Sequence, residues 1–325
     1  MSEARPSRSR SGLWRLFAVL AVLSLFTSAC GDDDGDDTAA TDTSGETPDG
    51  SSVDTSDCEA SDDVVGEPGG LLAGLQEAGT VQVGIANEVP YGYEDTDGEA
   101  TGEAPEVARA VLCEMGIPEI DATVVEFGNL IPGLQAGQFD LIAAGMFINA
   151  ERAAQIEFSD PDYCVSESLL VPEGNPDNLS DYQSVVDSGV TIAVLTGGVE
   201  EGYVEQAGVP PEQIELFGDV NDQYEAMEAG RVDAVTGTYL TIKTQADAMD
   251  GFEAVEGFFP LDENGEEILG CGGFGFQDQE FLDAFNLKLD ELQADGTVKE
   301  IVTSFGFAEA DVDAAAELTV EDLVS

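Results

Sequence analysis

Residues 134–142 read Leu134-Gln135-Ala136-Gly137-Gln138-Phe139-Asp140-Leu141-Ile142, and residues 227–235 read Met227-Glu228-Ala229-Gly230-Arg231-Val232-Asp233-Ala234-Val235. Each stretch is the end of a helix, a glycine suited to the left-handed cap, and an aspartate leading into an apolar strand. Two copies of one helix-to-strand unit, 93 positions apart, predict two lobes of similar build. Arg231 occupies a variable position of the unit and reads as a surface charge.

Working outward, Leu71 to Ala78 reads as a short helix and Thr80 to Ile85 alternates like a strand. Gly102 to Met115 is helical, with Ala104, Val107, Ala108, Val111 and Leu112 on one face and Gly116 as the stop; Arg109 lies off that stripe and reads as a solvated charge. Asp95-Thr96-Asp97-Gly98 is a hairpin turn, since the distal glutamate of a calcium loop is misplaced. Val124 to Phe127 is again a strand, and the alternation argues for α/β layers. The apolar runs Ser168 to Pro172 and Cys271 to Phe276 read as paired crossovers between the lobes. The expected organisation is lobe 1 over residues 70–171 and 262–308, lobe 2 over 172–261, and an acidic C-terminal tail over 309–325. Two crossovers make a hinge, and a hinge makes a closing cleft.

Residues 1–29 read as an export signal, with Arg5, Arg8, Arg10 and Arg15 before an apolar run from Leu16 to Phe26. That run is too short to span a bilayer comfortably. Thr27-Ser28-Ala29-Cys30 resembles a bacterial lipobox with threonine in place of the usual leucine. The expectation is a lipid on Cys30 that holds the protein at the outer face of the cytoplasmic membrane. Cleavage after Ala29 without lipid is the alternative. Residues 30–69, rich in Asp, Thr, Ser, Gly and Glu, read as an acidic flexible tether.

The 325 residues include 68 acidic and 10 basic side chains and no histidine, a formal net charge of −58. Such a surface repels nucleic acid and anionic head groups and suits solubility in a saline medium, where screening weakens self-repulsion. Without histidine, Ser-His-Asp and Cys-His catalysis and the commonest metal ligand are removed together, and no CxxC spacing occurs. No metal centre, cofactor or catalytic residue is therefore expected. Beyond the leader the cations are Arg109, Arg152, Arg231, Lys243, Lys288 and Lys299, so any anionic ligand is anchored by one of these or by backbone N–H groups. Cys58, Cys113, Cys164 and Cys271 can form two disulfides outside the cell, in three possible connectivities.

Four segments, Gly84 to Tyr91, Thr101 to Glu106, Ala144 to Arg152 and Phe158 to Pro161, resemble the family 3 solute-binding proteins of ABC importers, over roughly Leu71 to Phe307. The resemblance implies a two-lobed α/β fold of the type II periplasmic-binding-protein kind, with a two-strand hinge and a ligand cleft between lobes. It implies a monomer that binds a small zwitterion and docks on ABC permease subunits.

Within the family the chain looks most like the ectoine and hydroxyectoine receptors, through Asn87 to Tyr93, Phe127 to Leu134, Ala143 to Ile148 and Ala234 to Thr238. By that resemblance the ligand is held by the rings of Tyr91, Phe127 and Phe147, by Glu88 and by Arg152. A flat, weakly hydrated amidinium suits aromatic faces and a carboxylate, and a guanidinium fork suits the ligand's carboxylate. Lobe 2 is expected to complete the cage with Thr196, Val199 and Glu200, from a glycine-bearing loop opening a helix whose free N–H groups favour an anion. Receptors for α-amino acids place an aspartate where this sequence has Thr238, which points to a ligand without a free α-ammonium. The alternatives are a receptor for an amino acid or other zwitterion, an extracytoplasmic dehydratase on the same fold, and a sensory module.

Overall fold

The computed structural model describes residues 52–324 apart from Asp57, Glu59, Asp62 and Glu263. The proposed leader and Cys30 lie outside the described residues. The chain enters through α1 (Leu71–Ala78) and β1 (Thr80–Ile85), makes a ribbon of β2 (Tyr93–Glu94) and β3 (Ala100–Thr101), and continues as α2 (Glu103–Glu114), β4 (Glu119–Val124), α3 (Leu130–Gln135) and β5 (Leu141–Phe147). Helix α4 (Ala150–Ala153), β6 (Glu157–Phe158) and β7 (Tyr163–Val165) follow, then β8 (Glu167–Pro172), α5 (Tyr182–Ser188), β9 (Ile192–Leu195) and α6 (Val199–Ala207). After β10 (Ile214–Phe217), α7 (Val220–Glu228), β11 (Ala234–Thr238), α8 (Tyr239–Ala248) and β12 (Phe252–Ala254) come β13 (Gly270–Phe276), α9 (Gln279–Asp295), α10 (Thr297–Ser304), α11 (Glu309–Ala315) and α12 (Val320–Val324).

Two sheets organise these elements. The first runs β4-β1-β5-β13-β6 with β7 also on β13, and the second runs β10-β9-β11-β8-β12. In each, three neighbouring strands are parallel and the returning strand is antiparallel. The repeated unit explains the likeness. Gly137 and Gly230 take left-handed φ values of 67° and 65° and stop α3 and α7. Asp140 then accepts the Gln82 N–H of β1, and Asp233 accepts the Thr191 N–H before β9, so each aspartate ties its strand to the neighbouring one.

Helices α2, α9 and α10 cover the first sheet through the fully buried Val107, Val111, Phe281, Phe285, Val298 and Val302. Each such side chain contributes about 1.5–3 kcal/mol on leaving water. A second apolar cluster bridges the lobes, joining Phe127 and Met146 of the first to Leu195 and Phe217 of the second.

The crossovers differ from the sequence expectation. Ser168 to Pro172 belongs to the second sheet, where Thr236 faces Leu169 and Val235 faces Leu170. The chain therefore changes lobes at Ser166, between β7 and β8, and not at 171. On the return, Phe258 still bridges to Glu167 of the second sheet, and Gly270 opens the first-sheet strand β13. Strands β7 and β13 form the paired hinge segments, with Cys164 opposite Cys271. An apolar run of this kind is equally at home in either sheet, so its hydropathy could not choose.

The described residues flanking the expected lobes on both sides are more structured than expected. Cys58 is bonded to Cys113, Val64 is buried, and Lys288, itself buried, pairs with Asp63 and Glu291, so the folded body begins well before residue 70. The second disulfide, Cys164 to Cys271, settles the connectivity. The acidic stretch 309–325 is not a loose tail over its described residues. Val312 and Ala315 of α11 are buried, Leu318 and Leu323 pack beside the Cys164–Cys271 bridge, and the Val320 N–H donates to Asp160 Oδ1. Arg109 is also not simply solvated: it pairs with buried Glu106 and donates to the Ala100 carbonyl.

Candidate ligand-binding site

The strand ends of the two sheets meet at a cavity of about 30 Å³. Glu88, Tyr91, Phe127, Phe147 and Arg152 line it from the first lobe, and Val199, Glu200 and Thr238 from the second. Gly145, Leu195 and Gly198 complete the lining. A wider opening of about 660 Å³ shares Phe127, Arg152, Gly198 and Val199 and gives onto solvent. Thr196 is the one residue of the expected set outside the cavity. It is exposed, and its carbonyl faces Gly128 across the cleft.

Glu88 and Tyr91 are set by one tight turn after β1, in which the N–H groups of Tyr91 and Gly92 both donate to the Glu88 carbonyl. The Tyr91 ring packs 5.5 Å from Tyr163 and meets Phe307 edge-on at 5.5 Å. It lies so close to β5 that a Cβ at Gly145, where φ is 61°, would stand 2.3 Å from the ring. Phe147 ends β5 and covers Gly270, where a Cβ would meet its ring at 2.1 Å.

Arg152 sits in α4, whose N-cap Asn149 accepts the Arg152 N–H. Its side chain is buried, with Nη1 donating to the Phe147 carbonyl at 2.7 Å and Nη2 to the Gly197 carbonyl of the second lobe at 2.9 Å. The guanidinium also lies 5.3 Å from the centroid of the Phe127 ring. Phe127 thus stacks on the cation of the protein itself, a contact the sequence did not foretell. Two of the five guanidinium donors are spent on carbonyls, leaving three for a ligand.

On the second lobe, the loop after β9 opens α6 as expected, but its N–H groups are partly claimed. Glu201 accepts the Gly197 N–H, and the Glu200 carboxylate folds back over Gly198 to its own backbone N–H. Thr238 caps α8 and accepts the hydroxyl of Tyr91 at 2.8 Å. Thr241, one turn further, donates to Glu88 Oε1 at 2.8 Å. Sequence reasoning missed Thr241. The Thr-x-x-Thr spacing marks a helix start, yet nothing local ties it to a carboxylate 153 positions earlier.

The electrostatics follow from enclosure. Burial pushes Glu88 up to about 7; the Thr241 hydroxyl opposes this, and the charges of Glu200 and Asp219 add to it. Burial also raises Glu200, against its own backbone N–H and Arg152. Burial lowers Arg152 from its ordinary value, with Glu200 as the foremost charge opposing that. The cavity therefore offers one cation, Arg152, with Glu200 acting on it, and a second carboxylate, Glu88, among its aromatic walls.

A sequence profile of bacterial extracellular solute-binding proteins, family 3, matches residues 81–308, which takes in both sheets and every cavity residue. The chain belongs to this family. As a family 3 solute-binding protein it is 34% identical over 258 residues to the "Probable amino-acid ABC transporter periplasmic-binding protein y4tE" of Sinorhizobium fredii, covering 78% of this chain and 86% of that one. It is 27% identical over 246 residues to the glutamate-binding protein GluB of Corynebacterium glutamicum, covering 72% of this chain and 80% of that one. Among solved structures, EhuB in complex with hydroxyectoine matches with a TM-score of 0.71 and 31% identity, covering 78% of this chain and 98% of that one. An ancestral arginine-binding protein bound to arginine matches with a TM-score of 0.62 and 25% identity, covering 70% of this chain and 99% of that one. The resemblance and the two-lobed type II fold expected from the sequence are both borne out. Family 3 members are solute-binding proteins outside the cytoplasm.

Proposed function

We propose that this protein is the substrate-binding lipoprotein of an ABC importer and that it captures ectoine or hydroxyectoine. The observation that carries the reading is the convergence of three aromatic rings, Glu88 and Arg152 on one cavity. An amidinium against the Tyr91 and Phe147 faces gains roughly 0.5–2 kcal/mol per ring, more where water is excluded. Glu88 accepts its N–H groups, and the donors that Arg152 keeps free grip the ligand's carboxylate. Thr238, already bonded to Tyr91, supplies a hydroxyl where a carboxylate would be wanted for a free ammonium. EhuB, similar over 78% of this chain, is described as a complex with hydroxyectoine. Docking on a permease, and anchoring through a lipid on Cys30, belong to the same proposal.

A second reading, a receptor for an amino acid, is favoured by the names of the sequence relatives, which include GluB and y4tE. Mass spectrometry of small molecules released by denaturing the protein purified from its own host separates the two. An ectoine supports the first reading, and glutamate, arginine or another α-amino acid in its place would overturn it. Metabolic labelling with palmitate tests the anchor: the label is expected in the wild type and lost in Cys30→Ala.

A further inference from the structure

Four buried or partly buried side chains from both lobes form one line of hydrogen bonds. Tyr91 Oη donates to Thr238 Oγ1 at 2.8 Å, Thr238 Oγ1 to Thr241 Oγ1 at 3.2 Å, and Thr241 Oγ1 to Glu88 Oε1 at 2.8 Å. Each hydroxyl has a single proton to give, so with Glu88 ionised the line runs in this direction only. Thr238 Oγ1 also receives the Thr241 N–H at 3.4 Å, which fixes the pair in the first turn of α8. Tyr91 and Glu88 belong to the first lobe and the two threonines to the second, so the line crosses the cleft twice. It can be complete only with the lobes together.

We propose that Thr241 is a positioning residue of the binding site, orienting the Glu88 carboxylate toward the solute's cation as the lobes close. With Oε1 held by the second lobe, the carboxylate presents its other oxygen to the cavity. The same bond makes closure itself part of recognition, because the carboxylate acquires its orientation from α8. This assignment rests on the reading of Glu88 as the partner of the solute's positive charge.

The groups around Glu88 give the test its sign. Thr241 of α8 lowers the titration of Glu88, whereas Glu200 of α6 and Asp219 at the start of α7 raise it on top of burial. Glu167 of β8, Tyr91, Tyr163 and Tyr224 also feel the Glu88 charge. Thr241→Val removes the lowering group, and with it the acceptor of the Thr238 hydroxyl, while keeping the shape of a residue that is 4% exposed. Thr241→Ser retains the hydroxyl.

The decisive experiment is a carbon-13 carboxyl titration of Glu88 in the full chain, its resonance assigned with Glu88→Gln. The midpoint, about 7 in the wild type, is expected to move upward in Thr241→Val and to stay in place in Thr241→Ser. An unmoved midpoint in Thr241→Val would overturn the assignment. Calorimetry with hydroxyectoine at pH 8 is the second arm, with a loss of about 10- to 100-fold expected for the valine variant and little for the serine variant. If the wild type gives no heat with hydroxyectoine while the midpoint still moves, the solute reading fails and the role of Thr241 stands.

Discussion

Arg152, on the short helix α4 of the first lobe, donates from Nη2 to the carbonyl of Gly197 in the second lobe at 2.9 Å. One side chain therefore closes the cleft and offers the cavity its single cation. A lysine keeps the charge but cannot reach the Phe147 carbonyl, the Gly197 carbonyl and a carboxylate at once. Arg152→Ala is expected to weaken binding of the native solute more than 100-fold and Arg152→Lys about 10-fold or more, by isothermal titration calorimetry. Wild-type affinity in the lysine variant would remove the fork from the account.

The Glu88 carboxyl titrates near 7, above its ordinary value, because it is enclosed. Below that pH the free site holds a proton that a cationic group has to displace. Affinity is expected to be level above about pH 8 and to fall roughly tenfold per unit below pH 7. Stability has the opposite sense. Between its unfolded value and about 7 the folded state binds the extra proton, so this group's contribution is fully present below the unfolded value and is lost as pH rises through 7. Glu88→Gln is expected to flatten the pH profile, raise the Tm of the ligand-free protein at pH 8, and abolish tight binding. Calorimetry over a pH series and thermal melts read all three.

Cys164 and Cys271 face each other on the two hinge strands, 107 residues apart in sequence. A bridge closing so long a loop contributes about 2–5 kcal/mol against the unfolded chain. Replacing both by alanine is expected to lower the Tm by several degrees and leave the cavity residues in place, so affinity should change far less than stability. Differential scanning calorimetry paired with ligand titration checks the split. A loss of affinity as large as that of Arg152→Ala would make the bridge part of the site.

Residues 309–324 strap the back of the hinge. Ala315 covers the disulfide, and α12 packs against the apolar cluster beside α4, the helix that holds Arg152. Ending the chain at residue 308 is expected to lower both Tm and affinity, with faster solute release seen by stopped-flow fluorescence. Unchanged kinetics in the truncated chain would confine the strap to stability.

Much of this architecture was legible in the residues. The paired Gly137–Asp140 and Gly230–Asp233 units carry their own physics, a left-handed stop followed by a strand tied to its neighbour, and they predicted two matched sheets. Phe147 is the last residue of β5, and Tyr91 and Arg152 follow the ends of β1 and β5, so motif and topology agree. What could not be read depends on contacts between distant positions. The Thr241 to Glu88 bond spans 153 residues, the cysteine pairing spans 55 and 107, and the hinge at Ser166 lies between two strands that are both buried. The C-terminal strap was hidden by composition, since Val312, Ala315, Val320 and Leu323 are scattered among acids that face solvent.

Isothermal titration calorimetry of the mature chain at pH 8, against hydroxyectoine, ectoine, arginine and glutamate in turn, tests the central claim most directly. The account predicts saturable heat with the two ectoines and none with either amino acid. Saturable heat with arginine or glutamate, and none with the ectoines, would contradict it.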